Sequence, residues 1–347
     1  MVKALKVKTE LAQAAKELLL EKGWLASNYS IGRSAQRYVL FPLSQSADED
    51  FLKKRFPGAK IEERNLQPYS LKSKNLKSLL KGIIPDSEIG KLIKSYDVVG
   101  DICILEIPPE LEKFELSIAH TIKRSFPNIK VVAKKAGKRT EVERVQPLKI
   151  ISGENRLTTI YKEHGVLMKV DLEKVYFSPR ASNERLRIAR LVKPGEKVLV
   201  MFGGVGPYAL VIAKHQPNCK IWTVDINPAA HELAVQNVRL NRFGHIIIPL
   251  QGDVKEVVPK IGELFDRIIM PFPEKSWDFL GLALKFAAPS ATIHFIIFSE
   301  EDKLKEAENK ILEIAKKAGR AVKILNWRIF GSYAPGVNRY TFDILVK

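Results

Sequence analysis

Cysteine, long apolar runs and acidic side chains are all scarce in this sequence of 347 residues. Its two cysteines, Cys103 and Cys219, lie far apart and lack the spacing of metal ligands, so we expect buried thiols, no disulfide framework and no metal site. No segment approaches the run of about 20 apolar residues that a membrane-spanning helix needs. The N-terminal stretch alternates lysine with apolar residues and lacks the apolar core of a signal peptide. We therefore expect a cytoplasmic protein.

The shortage of acidic residues leaves the chain strongly basic. Lysine and arginine number 57 against 39 aspartates and glutamates, which gives a formal charge of +18. A charge of this sign and size favours a polyanionic partner, and nucleic acid is the default candidate. Hydrophobic residues make up 46% of the chain and charged residues 28%, which is typical of a globular protein. The length is sufficient for two or three separate cores.

The most informative stretch spans residues 197–225. A short apolar strand is followed by a turn of pattern G-G-x-G, a helical segment over 208–214 and a second strand that ends on Asp225. A parallel sheet with such a turn binds nucleotide-type cofactors at the carboxyl ends of its strands. Glycines let the backbone approach a ligand closely, and the carboxylate accepts hydrogen bonds from ribose hydroxyls. The glycines of this turn are Gly203, Gly204 and Gly206.

A glycine turn alone fits a tight strand-to-helix connection as well as it fits a cofactor site. Two further features favour the cofactor, namely Asp225-Ile226-Asn227-Pro228 after the second strand and Gly252-Asp253 after the third. A dinucleotide is disfavoured, because its third glycine would fall at Ala209. The pattern resembles that of Rossmann-like methyltransferases that use S-adenosylmethionine. This resemblance implies that Asp225 holds the ribose and that Asp253 lies beside the adenine.

We expect three α/β domains. Residues 1–70 alternate strand-like and helical segments and end in a polar linker that contains a proline. Residues 71–170 contain a strand or strand pair around Gly100, an amphipathic helix over 110–126 and a β-rich end. Residues 171–347 contain the cofactor fold. Their last two strands are joined by a short loop, which predicts an antiparallel hairpin at the edge of the sheet.

A cluster of basic residues surrounds Gly137, just after a strand predicted over 129–133. Lysines usually occupy solvated turns, and this explanation is sufficient here. A loop that contacts phosphates is about equally well supported, because the whole chain is basic. The residues are Lys134, Lys135, Lys138 and Arg139.

Five short motifs occur in a fixed order along the second half of the chain. They are Tyr161-Lys162-Glu163-His164-Gly165, Val175-Tyr176-Phe177-Ser178-Pro179-Arg180, Glu184-Arg185, Met201-Phe202-Gly203-Gly204-Val205-Gly206-Pro207 and Asp225-Ile226-Asn227-Pro228. Together they resemble the archaeal and eukaryotic tRNA (guanine-37 N1)-methyltransferases, well over residues 75–347 and more loosely before them. The resemblance implies a Rossmann-like class I methyltransferase domain preceded by two smaller RNA-contacting α/β domains. It also implies S-adenosylmethionine as cofactor and tRNA as the partner of a monomeric enzyme.

The N1 atom of guanine carries a proton at neutral pH, so its methylation needs a base and a group that stabilises charge developing on O6. The resemblance implies Glu184 as the base, Arg144 as the arginine at O6, and Arg180 and Arg185 as basic residues beside the substrate nucleotide. By themselves these residues have simpler explanations. Glu184 fits a carboxylate at a capped helix N-terminus, and the arginines fit exposed charges.

The other predicted site residues also follow from the resemblance. Residues 176–179 would otherwise be a packed strand end. Cofactor contacts are expected from Tyr176, Phe177, Phe202, Gly203, Gly204, Gly206, Asp225, Ile226, Asp253, Val254 and Pro271. Substrate contacts are expected from Arg180, Arg185, Lys134, Lys135, Lys138, Arg139 and Pro273.

Two positions depart from the family pattern. Val200 stands where many such enzymes carry an acidic residue, so one contact to the methionine part of the cofactor has to come from elsewhere. Pro271-Phe272-Pro273 replaces an Asn-Leu-Pro motif, and proline has no side-chain amide to orient a base. A more apolar pocket is compatible with a bulkier tricyclic base. Some archaeal members also methylate such a wyosine precursor on carbon, which leaves C7 methylation of 4-demethylwyosine open as a second activity.

Two other functions stay open. A related wyosine-pathway enzyme transfers an aminocarboxypropyl group instead of a methyl group, although Phe177-Ser178-Pro179-Arg180 and Glu184 favour methyl transfer. The chain could also be a non-catalytic tRNA-binding protein with a degenerate cofactor fold. Retention of the glycine turn, Asp225 and Asp253 argues against this hypothesis.

Overall fold

The computed structural model describes residues 2–22, 24–26, 29, 31–34, 37–44, 46–66, 76–80, 84–89, 96–137 and 145–347. The chain divides into two compact units. The first comprises Met1–Ser95, Ile107–Val132 and Ile151–Gly153, and the second comprises Tyr96–Glu106, Ala133–Ile150 and Glu154–Lys347. The three domains expected from the sequence, with boundaries at 70 and 170, stay a prediction.

The N-terminal part is a four-stranded antiparallel sheet with two helices. Its elements are β1 (Val2–Lys8), α1 (Ala12–Glu21), β2 (Gly32–Ser34), β3 (Tyr38–Pro42), α2 (Glu49–Arg55) and β4 (Lys60–Arg64). The strand order is β2-β3-β1-β4, so β2 and β4 are the edge strands. Leu5, Leu19, Phe41 and Leu52 are buried in its core. Asp48 caps α2 by accepting a hydrogen bond from the Phe51 backbone N–H at 2.9 Å.

Short helices and a second four-stranded sheet follow. The elements are α3 (Leu76–Leu79), α4 (Asp86–Ile89), β5 (Asp97–Val99), β6 (Ile102–Leu105), α5 (Glu115–Ser125), β7 (Val131–Lys135) and β8 (Leu148–Gly153), with strand order β5-β6-β7-β8. The strand pair predicted around Gly100 is confirmed, because β5 and β6 pair antiparallel across that turn. The helix predicted over 110–126 opens as a 3-10 turn at Pro109–Phe114 and becomes α-helical only at Glu115.

The rest of the chain forms a hairpin, a seven-stranded sheet and six helices. The elements are β9 (Thr158–Glu163), β10 (Val166–Asp171), α6 (Ser182–Leu191), β11 (Lys197–Met201), α7 (Pro207–His215), β12 (Lys220–Asp225), α8 (Pro228–Leu240), β13 (Ile247–Gln251), α9 (Val254–Ile261), β14 (Phe265–Met270), α10 (Leu280–Phe286), β15 (Ala287–Glu300), α11 (Leu304–Lys317), β16 (Val322–Ala334) and β17 (Val337–Val346). The large sheet has the order β13-β12-β11-β14-β15-β17-β16, and only β17 runs antiparallel to its neighbours. This confirms the α/β class and the terminal hairpin.

The central strands of the large sheet are apolar throughout. Leu199 and Met201 of β11, Ile268 of β14 and Phe295 of β15 are fully buried. Strands that are covered by helices on both faces are expected to be continuous apolar runs rather than alternating ones. Each such side chain contributes about 1.5–3 kcal/mol through burial. The carboxyl ends of these strands are therefore held in fixed positions.

The β9–β10 hairpin is attached to the side chains of α8. Asn237, which is 0% exposed, accepts a hydrogen bond from Lys169 N–H at 2.6 Å and donates to Lys169 C=O at 3.0 Å. Asn241 makes the same pair of bonds with Leu167, at 2.9 and 2.6 Å. The two amides, one helical turn apart, replace the backbone partner that a neighbouring strand would offer to β10. They fix the hairpin, which carries Glu163 of the site described below.

The scarce residue types behave largely as expected. Cys103 is buried, which confirms that prediction, whereas Cys219 is only half-buried and its thiol donates to the carbonyl of Gln216 at 3.0 Å. None of the helices in the described part of the chain is long and apolar enough to cross a membrane.

Candidate functional site

The glycine turn between β11 and α7 forms the floor of the site. Phe202 adopts a left-handed backbone conformation with φ 59°, which is rare for a bulky residue and marks local strain. Gly204 follows with φ 56° and Gly206 with φ 88°. A Cβ atom on Gly203 would lie 1.8 Å from the hydroxyl oxygen of Thr223 on β12. The close packing against β12 therefore requires glycine at position 203.

Asp225 ends β12 and faces this turn. Its Oδ2 accepts a hydrogen bond from Gly204 N–H at 2.7 Å, and its Oδ1 accepts one from Asn227 N–H at 2.9 Å. Burial raises the pKa of Asp225, and these two N–H groups oppose that shift. Each carboxylate oxygen keeps capacity for a further donor, which is what the two hydroxyls of a ribose require.

A cleft of about 580 Å³ opens in front of Asp225. Ile226 at its edge is 47% exposed although it is apolar. An exposed apolar side chain beside a carboxylate suits a ligand with a flat ring and a sugar, such as adenosine. The lining residues are Val175, Tyr176, Phe202, Gly204, Asp225, Ile226, Asn227, Ala230, Pro271 and Phe272.

A second cleft of about 610 Å³ adjoins the first. The two share Tyr176, Phe202, Gly204 and Pro271, so a ligand in one cleft lies next to a ligand in the other. The walls of the second cleft are mainly aromatic and apolar. They comprise Tyr176, Phe177, Ser178, Ala181, Arg185, Phe202, Gly203, Gly204, Val205, Pro207, Tyr208, Pro271, Pro273, Ile296, Phe330 and Arg339.

The two arginines expected beside the substrate nucleotide, Arg185 and Arg180, are both ion-paired in the structure, and their contact with a substrate stays a prediction. Arg185 does not present a free charge to a nucleotide, because it is buried and its guanidinium binds Glu163 at 2.5 and 2.7 Å and the Ser178 carbonyl at 3.2 Å. It joins α6, the β9–β10 hairpin and the 176–179 segment at the wall of the cleft. Arg180 forms a partly exposed ion pair with Asp97, at 2.7 and 3.2 Å.

Glu184, the expected base, is only 3% exposed and belongs to a buried network of charges. Both of its oxygens accept hydrogen bonds from Arg187, at 2.7 and 2.9 Å. Arg187 also donates to both oxygens of Asp343 on β17, at 2.7 and 3.0 Å. His294 lies 2.6 Å from Asp343. The simple explanation of Glu184 holds only in part, because the residue lies in the first turn of α6 but this helix has no side-chain cap.

The charges of this network act on the wall of the second cleft. Burial would raise the pKa of Asp343, but hydrogen bonds from His294 and Arg187 outweigh burial and lower it well below its ordinary value. Burial also raises the pKa of Tyr208, which lines the cleft. The charge of Arg185 lowers this pKa, and the charge of Glu184 raises it. Glu184 itself lines neither cleft and lies behind this wall.

Asp253 and Val254 do not line either cleft. The Asp253 carboxylate caps α9 by accepting a hydrogen bond from Lys255 N–H at 2.8 Å, and Val254 is buried. Asp253 therefore has a structural role at the start of α9, and its expected place beside the adenine stays a prediction. Pro271 and Pro273, in contrast, both line the second cleft, and Val200 is a buried apolar residue of β11.

The two described lysines of the basic cluster around Gly137 are not open cations. Lys134 is only 8% exposed, and Lys135 forms an ion pair with Glu106 at 2.6 Å. The structure therefore does not offer Lys134 to a phosphate. The other predicted members, Lys138 and Arg139, lie outside the described residues, as does Arg144. Among the residues that are described, no group of three or more His, Cys, Asp or Glu side chains is arranged to bind a metal ion.

The C-terminal strands contribute a wall of the second cleft that was not predicted from the sequence. Ile296 of β15, Phe330 of β16 and Arg339 of β17 line the second cleft. The partners of Glu184 were not predicted either. Arg187 and Asp343 are 156 residues apart in the chain, so no local pattern links them. The predicted edge hairpin was the one available signal that the last strands lie near the site.

Comparison with known proteins identifies the family. Residues 159–325 match the model of the TRM5/TYW2 methyltransferase domain, and residues 76–156 match that of the TYW2 N-terminal domain. The tRNA (guanine(37)-N(1))-methyltransferase Trm5b of Pyrococcus abyssi is 32% identical over 350 residues, which cover 100% of both chains. The tRNA (guanine(37)-N(1))/4-demethylwyosine(37)-methyltransferase Taw22 of Nanoarchaeum equitans is 30% identical, over 72% of this chain and 98% of that protein.

Solved structures agree with this result. The crystal structure of Trm5b from Pyrococcus abyssi has a TM-score of 0.72 at 30% identity, and the alignment covers 100% of both chains. The complex of aTrm5 with tRNALeu has a TM-score of 0.70 at 31% identity and covers 99% of both chains.

The first cleft fits the cofactor of this family. Asp225 offers unsatisfied acceptors to ribose hydroxyls, Ile226 offers an apolar face to adenine, and the shared wall at Phe202 and Gly204 leads to the second cleft. The chain belongs to the TRM5/TYW2 methyltransferase family and is an enzyme that depends on S-adenosylmethionine.

Proposed function

We propose that the chain forms 1-methylguanosine at position 37 of tRNA. The observation that carries this proposal is the shared wall of the two clefts. A site with the features of an adenosine pocket adjoins an aromatic cleft of about 610 Å³, and the buried Glu184 precedes Arg185, which lines that cleft. The tRNA (guanine(37)-N(1))-methyltransferases that match over 95–100% of this chain support the same substrate.

The reaction needs a base because guanine N1 is protonated at neutral pH. Bound S-adenosylmethionine supplies an electrophilic methyl group. Glu184, whose neighbour Arg185 lines the second cleft, accepts the N1 proton, and Arg187 holds both of its carboxylate oxygens in one orientation. Each Glu184 oxygen receives one hydrogen bond from Arg187, so lone pairs stay free for the proton. Arg144 would stabilise the charge that develops on O6, as the family resemblance implies.

A base in a structured anticodon loop reaches such a pocket only when it leaves its stack. Flipping costs a few kcal/mol, which stacking on aromatic side chains offsets. Tyr176 and Phe177 supply aromatic faces in the second cleft, and Pro271 and Pro273 supply an apolar edge. Arg180, Lys138 and Arg139 would bind tRNA phosphates. We expect the enzyme to act as a monomer in the cytoplasm, where tRNA is its partner.

A second methylation is favoured by one observation. The edge of the cleft is formed by Pro271 and Pro273, which offer no side-chain hydrogen bonds and leave space for a larger ring system. The relative Taw22 is named for activity on both guanine-37 and 4-demethylwyosine-37. We therefore include C7 methylation of 4-demethylwyosine as a second candidate activity of the same site.

The experiment that tests the primary function uses labelled S-adenosylmethionine and two unmodified tRNA transcripts, one with G37 and one with A37. We expect incorporation only into the G37 transcript, with the label at N1. A heat-denatured enzyme sample controls for chemical methylation. Equal incorporation into both transcripts would show that position 37 is not the target, and this would contradict the proposal.

A further inference from the structure

Arg339 is a cation of the second cleft whose side chain has no polar partner among the described residues. Its guanidinium lies 5.5 Å from the ring centre of Phe298 and 5.4 Å from that of Phe330. Its Nε is buried and has no hydrogen-bond partner within the described part of the chain. Arg185, the other described arginine of this cleft, is engaged by Glu163 and Ser178. Of these two arginines, it is therefore Arg339 that has donors to spare.

The position of Arg339 in the sheet separates it from the cofactor. Asp225 lies on β12, on one side of β11, whereas Arg339 lies on β17, on the other side. Three strand spacings separate β17 from β11, which amounts to about 14 Å at about 4.8 Å per spacing. The residue thus faces the end of the second cleft that is remote from the adenosine cleft. This position favours the second substrate over the cofactor as its ligand.

The surroundings of Arg339 define the chemistry of that ligand. The adjacent lining residues Ile296 and Phe330 are apolar, and no acidic side chain lines this cleft in the ranges that the structure describes. A desolvated guanidinium needs acceptors, and its planar fork matches two of them in one plane. The O6 and N7 atoms of guanine are the most frequent such pair in nucleic-acid recognition.

We propose that Arg339 binds the O6/N7 edge of the target guanine. This inference rests on the proposed function and specifies which base edge is recognised. It also accounts for a pocket that has lost the side-chain amide of the usual Asn-Leu-Pro motif, because a guanidinium from β17 supplies the missing donors. An adenine presents an amino group instead of O6 and would place donor against donor.

The first test compares Arg339→Met with the control Arg328→Met. Arg328 is an exposed arginine on the adjacent strand β16 and lines neither cleft. We expect Arg339→Met to lower the single-turnover methylation rate of a G37 transcript about 10- to 100-fold. The affinity for S-adenosylhomocysteine, measured by calorimetry, should change less than about 2-fold. The control should retain both properties.

The second test removes one acceptor from the substrate. A tRNA that carries 7-deazaguanosine at position 37 lacks N7 but keeps O6 and N1. We expect wild type to methylate it about 5- to 20-fold more slowly than the G37 transcript, whereas Arg339→Met should not distinguish the two. Such non-additivity reports a direct contact and is not produced by a general structural defect.

Three outcomes would overturn the inference. They are an unaffected rate in Arg339→Met, a cofactor affinity that falls 10-fold or more in that variant, or a wild type that is indifferent to the loss of N7. The second of these would assign Arg339 to the cofactor carboxylate. A wild type that is inactive on the G37 transcript overturns the proposed function itself and the inference with it. Wild-type activity with an unaffected variant overturns the inference alone.

Discussion

A carboxylate that accepts a proton from a nucleobase must be held in place, and Arg187 does this for Glu184. The guanidinium lies between two carboxylates and binds each of them twice. Breaking such a buried pair from one side leaves an uncompensated charge. The position of the Glu184 carboxylate is therefore fixed by Arg187 on its own helix and, through Arg187, by Asp343 on β17.

Replacing Glu184 by glutamine should remove the base and keep the shape. We expect the single-turnover methylation rate of a G37 transcript to fall about 10²- to 10⁴-fold, because the N1 proton then has no acceptor of suitable strength. Rapid-quench kinetics with labelled cofactor measure this rate. Cofactor affinity serves as the control and should stay within about 2-fold. A rate equal to wild type would remove Glu184 from the mechanism.

Asp225 should matter to cofactor binding and Asp253 should not. We expect Asp225→Asn to weaken the binding of S-adenosylhomocysteine about 10- to 100-fold, because hydrogen bonds to a charged group contribute about 1.5–3 kcal/mol. Asp253→Asn is the matched control, since asparagine also caps helices and this residue lines neither cleft. Isothermal titration calorimetry measures the affinity of each variant for S-adenosylhomocysteine. Equal losses in the two variants would restore the adenine contact expected from the sequence.

At the scale of elements, the attachment of the β9–β10 hairpin to α8 is the least conventional feature. Asn237→Ala leaves the backbone N–H and C=O of Lys169 and the carbonyl of Val205 without their partner. We expect a loss of about 3 kcal/mol in the free energy of unfolding, because each buried unsatisfied group costs about 1–3 kcal/mol and water recovers part of this. The more exposed Asn241→Ala should cost about 1 kcal/mol.

Urea unfolding followed by tryptophan fluorescence measures these losses. Trp24→Phe is the suitable background, because the other tryptophans, Trp222, Trp277 and Trp327, all lie in Glu154–Lys347. Asn237→Ala with unchanged stability would mean that the hairpin does not depend on this side chain.

The buried His294 predicts how the stability of the same unit depends on pH. Arg267 donates to its Nε2 at 2.8 Å, so its proton sits on Nδ1 and points to Asp343. Burial lowers the pKa of His294, and the hydrogen bond to Asp343 raises it. The positive charges of Arg267 and Arg187 lower the pKa further. Below the ordinary value of 6.5 the unfolded chain therefore binds a proton that the folded chain does not. Stability consequently falls as the pH drops below 6.5.

This dependence can be measured against His294→Asn, whose amide does not titrate. Between pH 6.5 and 5.5 the free energy of unfolding of wild type should fall more steeply than that of the variant, by up to about 1.4 kcal/mol per pH unit. The same Trp24→Phe background isolates the relevant unit. Parallel curves for the two proteins would show that His294 is protonated in the folded state.

Sequence patterns predicted the strongly apolar strands of the large sheet, such as β11 and β14. Helices cover both faces of these strands, so their sequences are continuous runs of apolar residues. They missed α9, which contains Pro259, and the short α10. At the site, Asp225 was predictable because it follows the glycine turn closely in the chain. Arg339 and the Arg187–Asp343 pair were not, since they meet the site only through the order of strands.

For the whole molecule, the charge of +18 is the property that a polyanionic partner would sense. If about six tRNA phosphates are neutralised, the affinity for tRNA should fall about 10³-fold between about 50 and 200 mM salt. Filter binding at several salt concentrations gives the slope. Binding of S-adenosylhomocysteine over the same range is the control and should change little. A flat salt dependence for tRNA would contradict a binding surface dominated by phosphate contacts.

The central claim is that this enzyme places one methyl group on N1 of guanine 37. Digestion of a reacted G37 transcript to nucleosides, followed by mass spectrometry against synthetic standards, tests it most directly. We expect 1-methylguanosine as the single new nucleoside in the G37 transcript, and we expect none in the A37 transcript. An aminocarboxypropylated nucleoside, a methyl group on another atom, or an unmodified transcript with the cofactor bound would contradict it.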